Sequence, residues 1–203
     1  MARYTMSLGL ILLTLMLSGG VGAAAGLPPD TLPLKRMEGH SYFLGYNLHA
    51  DLLYNKVSSV NYQLNGALLP WGTEVRILRV QRNSLLFEDR NRGKRYRYEF
   101  HRKTRQSVPL VEHLERVFLE SADQLRQQVA AMSEIDKDGI YEGRVKPGMS
   151  REAVLIAIGY PPEFANRQAL MSDRDWSYWI SRYSKMVVSF GRDGRVSRIT
   201  GNY

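Results

Sequence analysis

Residues 145–162, VKPGMSREAVLIAIGYPP, describe one short helix with both of its ends marked in the sequence. Ser150 is a natural N-cap, because its hydroxyl accepts a hydrogen bond from an unpaired N–H of the first turn. Met149 and Val154 occupy the positions of a hydrophobic staple around that cap. Gly159 supplies a left-handed residue at the C-terminal end, and the prolines that follow cannot continue the helix. The stretch contains no catalytic motif, and we interpret it as scaffold.

The residues after this helix predict a small antiparallel sheet. Strand patterns occur in three segments, at residues 175–182, 185–190 and 195–200. Gly191 and Gly194 bound a turn that joins the last two segments as a hairpin. Val196 and Ile199 are three positions apart, so they both face inward only if the strand contains a bulge or a strong twist. Residues 163–174 are interpreted as a mobile loop.

Residues 134–203 are therefore predicted to form two short helices followed by a three-stranded antiparallel sheet. They also resemble a known domain through four pieces in order: GRVKPGMSREAVL from Gly143, GYPP from Gly159, WxY from Trp176 and FxxDGRV from Phe190. These pieces are similar to the SmpA/OmlA (BamE-like) domain of the outer-membrane β-barrel assembly machinery. The resemblance implies the same two-helix, three-strand fold and a non-catalytic role through protein contacts at the membrane. This chain departs from the family in lacking cysteine for a lipid anchor.

The part of the chain before residue 106 is rich in short strand patterns. They occupy residues 47–54, 58–64, 73–80, 85–88 and 94–100, and turn-forming residues separate them. Short strands at this density predict a small β-barrel or rolled sheet for residues 42–105. The segment LPWGTEV, residues 69–75, resembles the turn into a central strand of bacterial SH3-like domains. The overall fold class is thus α+β, with a β-barrel-like domain in front of the BamE-like unit.

Basic residues are concentrated in the last of these strand patterns and just after it. The cluster contains Arg90, Arg92, Lys94, Arg95, Arg97, Arg102, Lys103 and Arg105, with Glu99 as the one acid between them. One interpretation is a surface for an anionic partner. The other is a solvated hairpin whose charge keeps a sheet edge unpaired.

Residues 108–132 show apolar side chains at three- and four-residue spacing, which predicts one long amphipathic helix that begins near Pro109. Its polar face is close to charge balance, whereas a membrane-surface helix has a polar face rich in Lys and Arg. We therefore expect this helix to pack against the β domain or to bridge the two domains.

The first residues are read as a targeting segment. Arg3 precedes an uncharged run over residues 8–17 and then small residues, as in a cleavable signal peptide over residues 1–25. About ten apolar residues are too few to span a bilayer, which makes an uncleaved anchor the weaker alternative. Residues 26–41 are Pro-rich at first and are read as a linker. Since the chain has no cysteine, we expect an unlipidated periplasmic protein, associated with the outer membrane through other molecules.

Catalysis, metals and cofactors find no support in the sequence. The four histidines show no metal-binding spacing, and no thiol nucleophile, nucleophile elbow or phosphate-cradling Gly-rich loop is present. We therefore expect no enzyme activity, no cofactor and no metal. Outside the cytoplasm nucleic acid is not an expected partner either.

Two hypotheses for function remain. The first is an accessory scaffold in outer-membrane protein assembly or envelope integrity, acting on envelope proteins through Trp179, Phe164, Arg167 and Tyr183. In it, Trp176 and Tyr178 lie in the core and Trp179 faces the other side of the sheet. The second is a module that binds anionic lipid, lipopolysaccharide or peptidoglycan through Arg95, Arg97, Arg102 and Lys103.

Overall fold

The computed structural model describes residues 31–60, 66–166, 170–180 and 183–201. Within them the protein is mixed α+β, with a curled six-stranded sheet, a separate three-stranded sheet and a two-stranded ribbon. The predicted signal peptide, residues 1–25, and the first part of the predicted linker lie outside the described residues. No helix in these four ranges is both long enough and apolar enough to cross a membrane.

The N-terminal unit, residues 31–119, carries most of the strands. They are β1 (Ser41–Leu44), β2 (Leu48–Ala50), β3 (Lys56–Ser58), β4 (Ala67–Leu69), β5 (Glu74–Gln81), β6 (Ser84–Asp89), β7 (Arg95–Glu99) and β8 (Phe118–Leu119), and α1 (Arg102–Ser107) and α2 (Leu110–Val117) lie between the last two. The large sheet has the order β3-β7-β6-β5-β1-β8, and β2 pairs with β4. β3 runs parallel to β7, while the other neighbours are antiparallel.

The rolled sheet predicted for this unit is confirmed at the level of strands and core. Predicted strands 73–80, 85–88 and 94–100 correspond to β5, β6 and β7. On β7, Tyr96 and Tyr98 are buried while Arg95 and Arg97 are exposed, as alternation requires for a strand with one buried face. The strand predicted for residues 47–54 was wrong in extent, because β2 is only three residues long. Of the strand predicted for residues 58–64, Ser58 belongs to β3 and residues 61–64 lie outside the described residues.

The linker predicted for residues 26–41 is wrong from residue 32 onward. Leu32–Met37 form a 3-10 helix, and β1 begins at Ser41. Leu34 is 2% exposed and belongs to the core of the N-terminal unit. Pro33 is compatible with this helix because proline has the φ angle of a first helical turn and needs no N–H partner there.

The single helix predicted for residues 108–132 is also wrong. α2 ends at Val117, Phe118 and Leu119 form β8 against β1, and a second helix, α3 (Asp123–Ala130), follows. The apolar stripe divides accordingly, because Leu110 and Leu114 belong to the N-terminal core whereas Leu125 and Val129 pack on the C-terminal core. Of the two arrangements expected, packing on the β domain or bridging the two domains, the segment shows bridging, as two helices joined by a strand.

The C-terminal unit, residues 134–201, contains the predicted elements. They are α4 (Glu134–Glu142), α5 (Arg151–Ile158), β9 (Asp175–Trp179), β10 (Lys185–Phe190) and β11 (Val196–Thr200), with the antiparallel order β11-β10-β9. The predicted irregularity near Val196 is confirmed: Phe190 pairs with Val196 and Ser189 with Arg198, which leaves one extra residue on β11.

The helix read from residues 145–162 is α5, and its marked ends are present. The Ser150 hydroxyl accepts a hydrogen bond from the Ala153 N–H at 3.2 Å, and Met149 is fully buried. Gly159 has φ +81° and ψ −177°, so its φ is left-handed as expected while its ψ is extended rather than helical. α5 is buried along most of its length and forms the scaffold beneath β9 and β10.

Candidate functional site

A basic groove lies along the β3 edge of the large sheet. It has a volume of about 1240 Å³ and is lined by β3, the end of β7, α1 and the loop before β3. Its lining includes four cationic side chains, Lys56, Arg97, Arg102 and Arg105, and two carboxylates, Asp51 and Glu99. We call this feature the basic groove.

The strand register brings the cations of the basic groove together. Lys56 and Arg97 are partners in the parallel pairing of β3 with β7. Glu99 forms an ion pair with Lys56 at 3.3 Å. Arg97 and Arg102 are exposed, and within the described part of the chain neither has an ion-pair partner. The groove therefore presents two arginines whose charge no described side chain neutralises.

The structure brings together only part of the basic set expected from sequence. Arg97 and Arg102 line the groove. Arg95 lies at the start of β7 and contacts Glu88 at 3.2 Å, and Lys103 projects from α1 over the Phe164 and Trp179 rings at 5.1 Å. Lys56 was not identified from sequence, since its place in the groove depends on a parallel strand pairing that no local pattern reveals.

Two of the aromatic residues expected to contact a partner, Phe164 and Trp179, lie where the two units meet. The Phe164 ring stands between His101, at 6.1 Å between ring centroids, and Trp179, at 5.7 Å. Trp176 and Tyr178 are buried, and Trp179 faces the other side of the sheet, as expected. Tyr183 is 96% exposed. Arg167 lies outside the described residues.

We call the contact between the two units the seam, and a chain of polar groups crosses it. The Tyr98 hydroxyl and His113 Nε2 are 2.8 Å apart, and His113 Nδ1 is 3.9 Å from Glu163 Oε1. Arg116 donates to the same Glu163 oxygen at 3.2 Å. Burial raises the pKa of Tyr98 well above its usual value, so this phenol stays protonated.

Glu163 is the anionic member of this chain. Burial alone would raise the pKa of Glu163, but the nearby His113 imidazole, a backbone hydrogen bond and the positive charge of Arg116 outweigh burial, and the pKa lies below its ordinary value of 4.5. A carboxylate with a lowered pKa stabilises the folded state in its ionised form. That stabilisation is present above pH 4.5 and is lost as the pH falls through the folded-state pKa.

Glu163→Gln is therefore expected to lower the free energy of unfolding by about 1–2 kcal/mol at pH 7 and to flatten its decline in acid. Urea unfolding at pH 7, 5 and 3.5 measures both effects. Glu112→Gln is the matched control, because Glu112 also pairs with Arg116 but is about half exposed, and we expect less than ~0.5 kcal/mol there. Equal pH profiles for wild type and Glu163→Gln would contradict the assignment.

The part of the chain that the structure describes holds no group of three or more His, Asp or Glu side chains arranged to bind a metal ion. His113 lies in the seam, and His49 is buried on β2. Comparison of the chain with models of known protein families, with curated proteins and with solved structures gives no match. Fold and site together define an α+β protein with two sheets, a polar seam and a basic groove at a sheet edge.

Proposed function

We propose that this chain is a non-catalytic binding protein of the bacterial envelope and that its basic groove binds anionic groups of an envelope lipid or polymer. The observation that carries the proposal is the pair Arg97 and Arg102, exposed in one groove and without ion-pair partners among the described residues. Export through the predicted signal peptide would place the groove in the periplasm.

Groove geometry supports an anionic ligand of extended shape. The groove lining carries four cations against two carboxylates, so its charge is positive on balance, and a concave surface with an excess of positive charge attracts anions. Arginine presents a planar fork of N–H donors that matches phosphate or carboxylate oxygens. At about 1240 Å³ the groove is larger than a typical small-molecule pocket, which favours a polymer segment or a cluster of head groups.

Inorganic polyphosphate is the probe for this proposal. We expect Arg97→Gln/Arg102→Gln to weaken polyphosphate binding about tenfold or more, and to reduce the dependence of affinity on salt, because two phosphate contacts are lost. Fluorescence titration between about 50 and 200 mM salt measures both.

Arg92→Gln/Arg95→Gln is the control for net charge. It removes two charges from the same sequence cluster, but Arg92 and Arg95 lie near Asp89 and Glu88 and outside the groove. Binding that falls equally in both double variants would show a general charge effect and overturn the proposed site.

A second candidate, an accessory scaffold for outer-membrane assembly, is favoured by one observation. Tyr183 is 96% exposed between β9 and β10, in the unit whose sequence resembles the SmpA/OmlA family. Aromatic side chains are enriched at protein interfaces and among the residues that contribute most to binding. The two helices and three-stranded sheet of this unit are the elements that the resemblance implies.

A photo-crosslinking residue at position 183 is expected to capture an envelope protein in living cells. Position 141 is the matched control, because Tyr141 on α4 is 86% exposed and reports crosslinks that arise from chance encounters. If position 183 captures nothing that position 141 does not capture as well, the scaffold hypothesis fails for this surface.

A further inference from the structure

Three consecutive large apolar residues are exposed in the loop between β2 and β3. Leu52 is 71% exposed, Leu53 81% and Tyr54 69%. Each of these side chains keeps most of its surface in water, which is unfavourable unless another phase or molecule covers it. We call residues 52–54 the apolar tip.

The apolar tip is displayed by a hydrogen-bonded turn. The Asp51 carboxylate accepts hydrogen bonds from the Leu53 and Tyr54 N–H groups, at 2.9 and 2.8 Å. The Asp51 N–H donates to the Lys56 carbonyl at 2.7 Å and closes the loop at its base. Asn55 has φ +51°, a left-handed conformation that Asn tolerates better than most residues, and its carbonyl accepts from the Arg97 N–H. The turn thus points three apolar side chains outward by construction.

Cations of the basic groove stand beside the apolar tip. Asp51 and Tyr54 belong to the groove lining together with Lys56, Arg97 and Arg102. The Lys56 ammonium lies 5.5 Å from the centre of the Tyr54 ring. Two acids share this lining: the Asp51 carboxylate is engaged by the turn itself, and Glu99 pairs with Lys56 at 3.3 Å. An apolar projection therefore adjoins a positively charged concave surface.

We propose that the apolar tip inserts into the interface of an anionic phospholipid membrane while the groove cations contact the lipid phosphates. This inference deepens the proposed function and rests on it for the role of the cations. Leucines are favourable at the boundary between head groups and acyl chains, and tyrosine is enriched there because its ring is apolar and its hydroxyl is polar. Basic residues near an anionic bilayer add electrostatic attraction.

The combination of cations and exposed apolar side chains favours an anionic membrane over a soluble polymer as the binding partner. A polysaccharide or polyphosphate satisfies the arginines but offers no apolar phase to Leu52 and Leu53. An anionic bilayer supplies phosphates and acyl chains at the same surface, within a few ångströms of depth. A protein partner with an acidic rim and an apolar pocket is the alternative occupant, which the experiments below distinguish.

Binding to vesicles of phosphatidylglycerol and phosphatidylcholine is the first test. We expect Leu53→Ser to lower the partition coefficient about tenfold, since a leucine side chain then loses its burial in lipid. Leu32→Ser is the matched control, because Leu32 is 56% exposed but lies on the 3-10 helix and is not part of the groove lining. All variants carry the same residues 1–25, so any contribution of this apolar segment to vesicle binding is the same in each of them.

The polyphosphate titration separates this inference from the proposed function. Leu53→Ser should leave polyphosphate affinity unchanged, whereas Arg97→Gln/Arg102→Gln should weaken binding to both probes. If polyphosphate binds and Leu53→Ser leaves vesicle binding unchanged, insertion of the apolar tip is overturned and anion binding by the basic groove is retained. If polyphosphate does not bind but Leu53→Ser weakens vesicle binding, anion binding by the basic groove is overturned and insertion of the apolar tip is retained.

Direct detection of insertion uses the absence of cysteine from the sequence. Leu53→Cys provides a single labelling position for an environment-sensitive fluorophore, and Leu32→Cys provides the control. With vesicles we expect a blue shift and quenching by brominated acyl chains at position 53 only. A label at position 53 that stays in water while the protein is vesicle-bound would overturn insertion and favour a protein as the occupant.

Discussion

Asn47→Ala is expected to lower the free energy of unfolding by about 3 kcal/mol or more and to uncouple the two units. The Asn47 side chain donates to the Ile140 carbonyl at 2.7 Å and to the Ala157 carbonyl at 3.1 Å, both in the C-terminal unit. Its carbonyl accepts from the Trp71 N–H at 2.9 Å. Alanine would remove all three of these hydrogen bonds from a site where Asn47 is fully buried, and each buried group left unpaired costs about 1–3 kcal/mol. The Ile140 carbonyl keeps a second donor, the Gly143 N–H at 3.2 Å.

Urea unfolding followed by two probes measures the uncoupling. In the wild type we expect tryptophan fluorescence, to which Trp176 and Trp179 of the C-terminal unit contribute together with Trp71, and far-ultraviolet circular dichroism to change in one transition. In Asn47→Ala the two probes should separate, because a unit that loses its contacts to the other unfolds on its own. Superimposable transitions for the variant would contradict the role of Asn47 as the link.

Asn166→Ala is the matched control for Asn47→Ala. Asn166 also makes three side-chain hydrogen bonds to backbone groups, to the Pro162 and Ser177 carbonyls and from the Ser177 N–H. These bonds remain within the C-terminal unit, and the residue is only partly buried. Its loss should cost about 1 kcal/mol and leave the coincidence of the two probes intact.

Features with a local cause were predictable from sequence. Ser150 and Gly159 mark the two ends of α5 in the sequence, because helix capping depends on only a few neighbouring residues. The bulge near Val196 followed from a spacing that a regular strand cannot accommodate. Burial of Trp176 and Tyr178, with Trp179 on the opposite face, followed from the two-residue period of a strand.

Features with a non-local cause were not predictable. The periodicity of residues 108–132 fits one helix, yet Phe118 and Leu119 gain more as a strand on the β1 edge than as another helical turn. Leu34 lies in the segment predicted to be a linker, but it packs into the core formed by the curled sheet. In both cases tertiary contacts decide the conformation, and no local window contains them.

The candidate site divides in the same way. Arg97 and Arg102 were expected to bind anions because they are clustered in sequence, and they do share a groove. Lys56 joins them through a parallel strand pairing, and Leu52 and Leu53 were read as part of a strand. Alternation predicts which residues a strand buries, but it does not reveal where a strand gives way to an exposed turn.

Gly159→Ala, the second large effect, is expected to cost about 3–5 kcal/mol, because it combines backbone strain with a steric clash. At φ +81° and ψ −177°, Gly159 occupies a region that residues with a Cβ rarely adopt. A Cβ there would lie 2.6 Å from Tyr46 Cε2 and 2.8 Å from Cδ2. The Tyr46 ring is 6% exposed and stands edge to face with Tyr160 at 6.0 Å, so it has little room to move.

A double-mutant cycle with Tyr46→Ala separates the two causes. Removing the ring relieves the clash but not the backbone strain, so the double variant should be about 1–2 kcal/mol more stable than additivity predicts. Gly72→Ala measures the cost of a positive φ without a clash, because Gly72 has φ +70° and an added Cβ would meet no atom within 4 Å, and we expect a cost of about 1 kcal/mol there. Strict additivity in the cycle would show that Tyr46 yields to the new methyl group. In that case the packing of Tyr46 on Gly159 would not be what holds the end of α5 against the N-terminal unit.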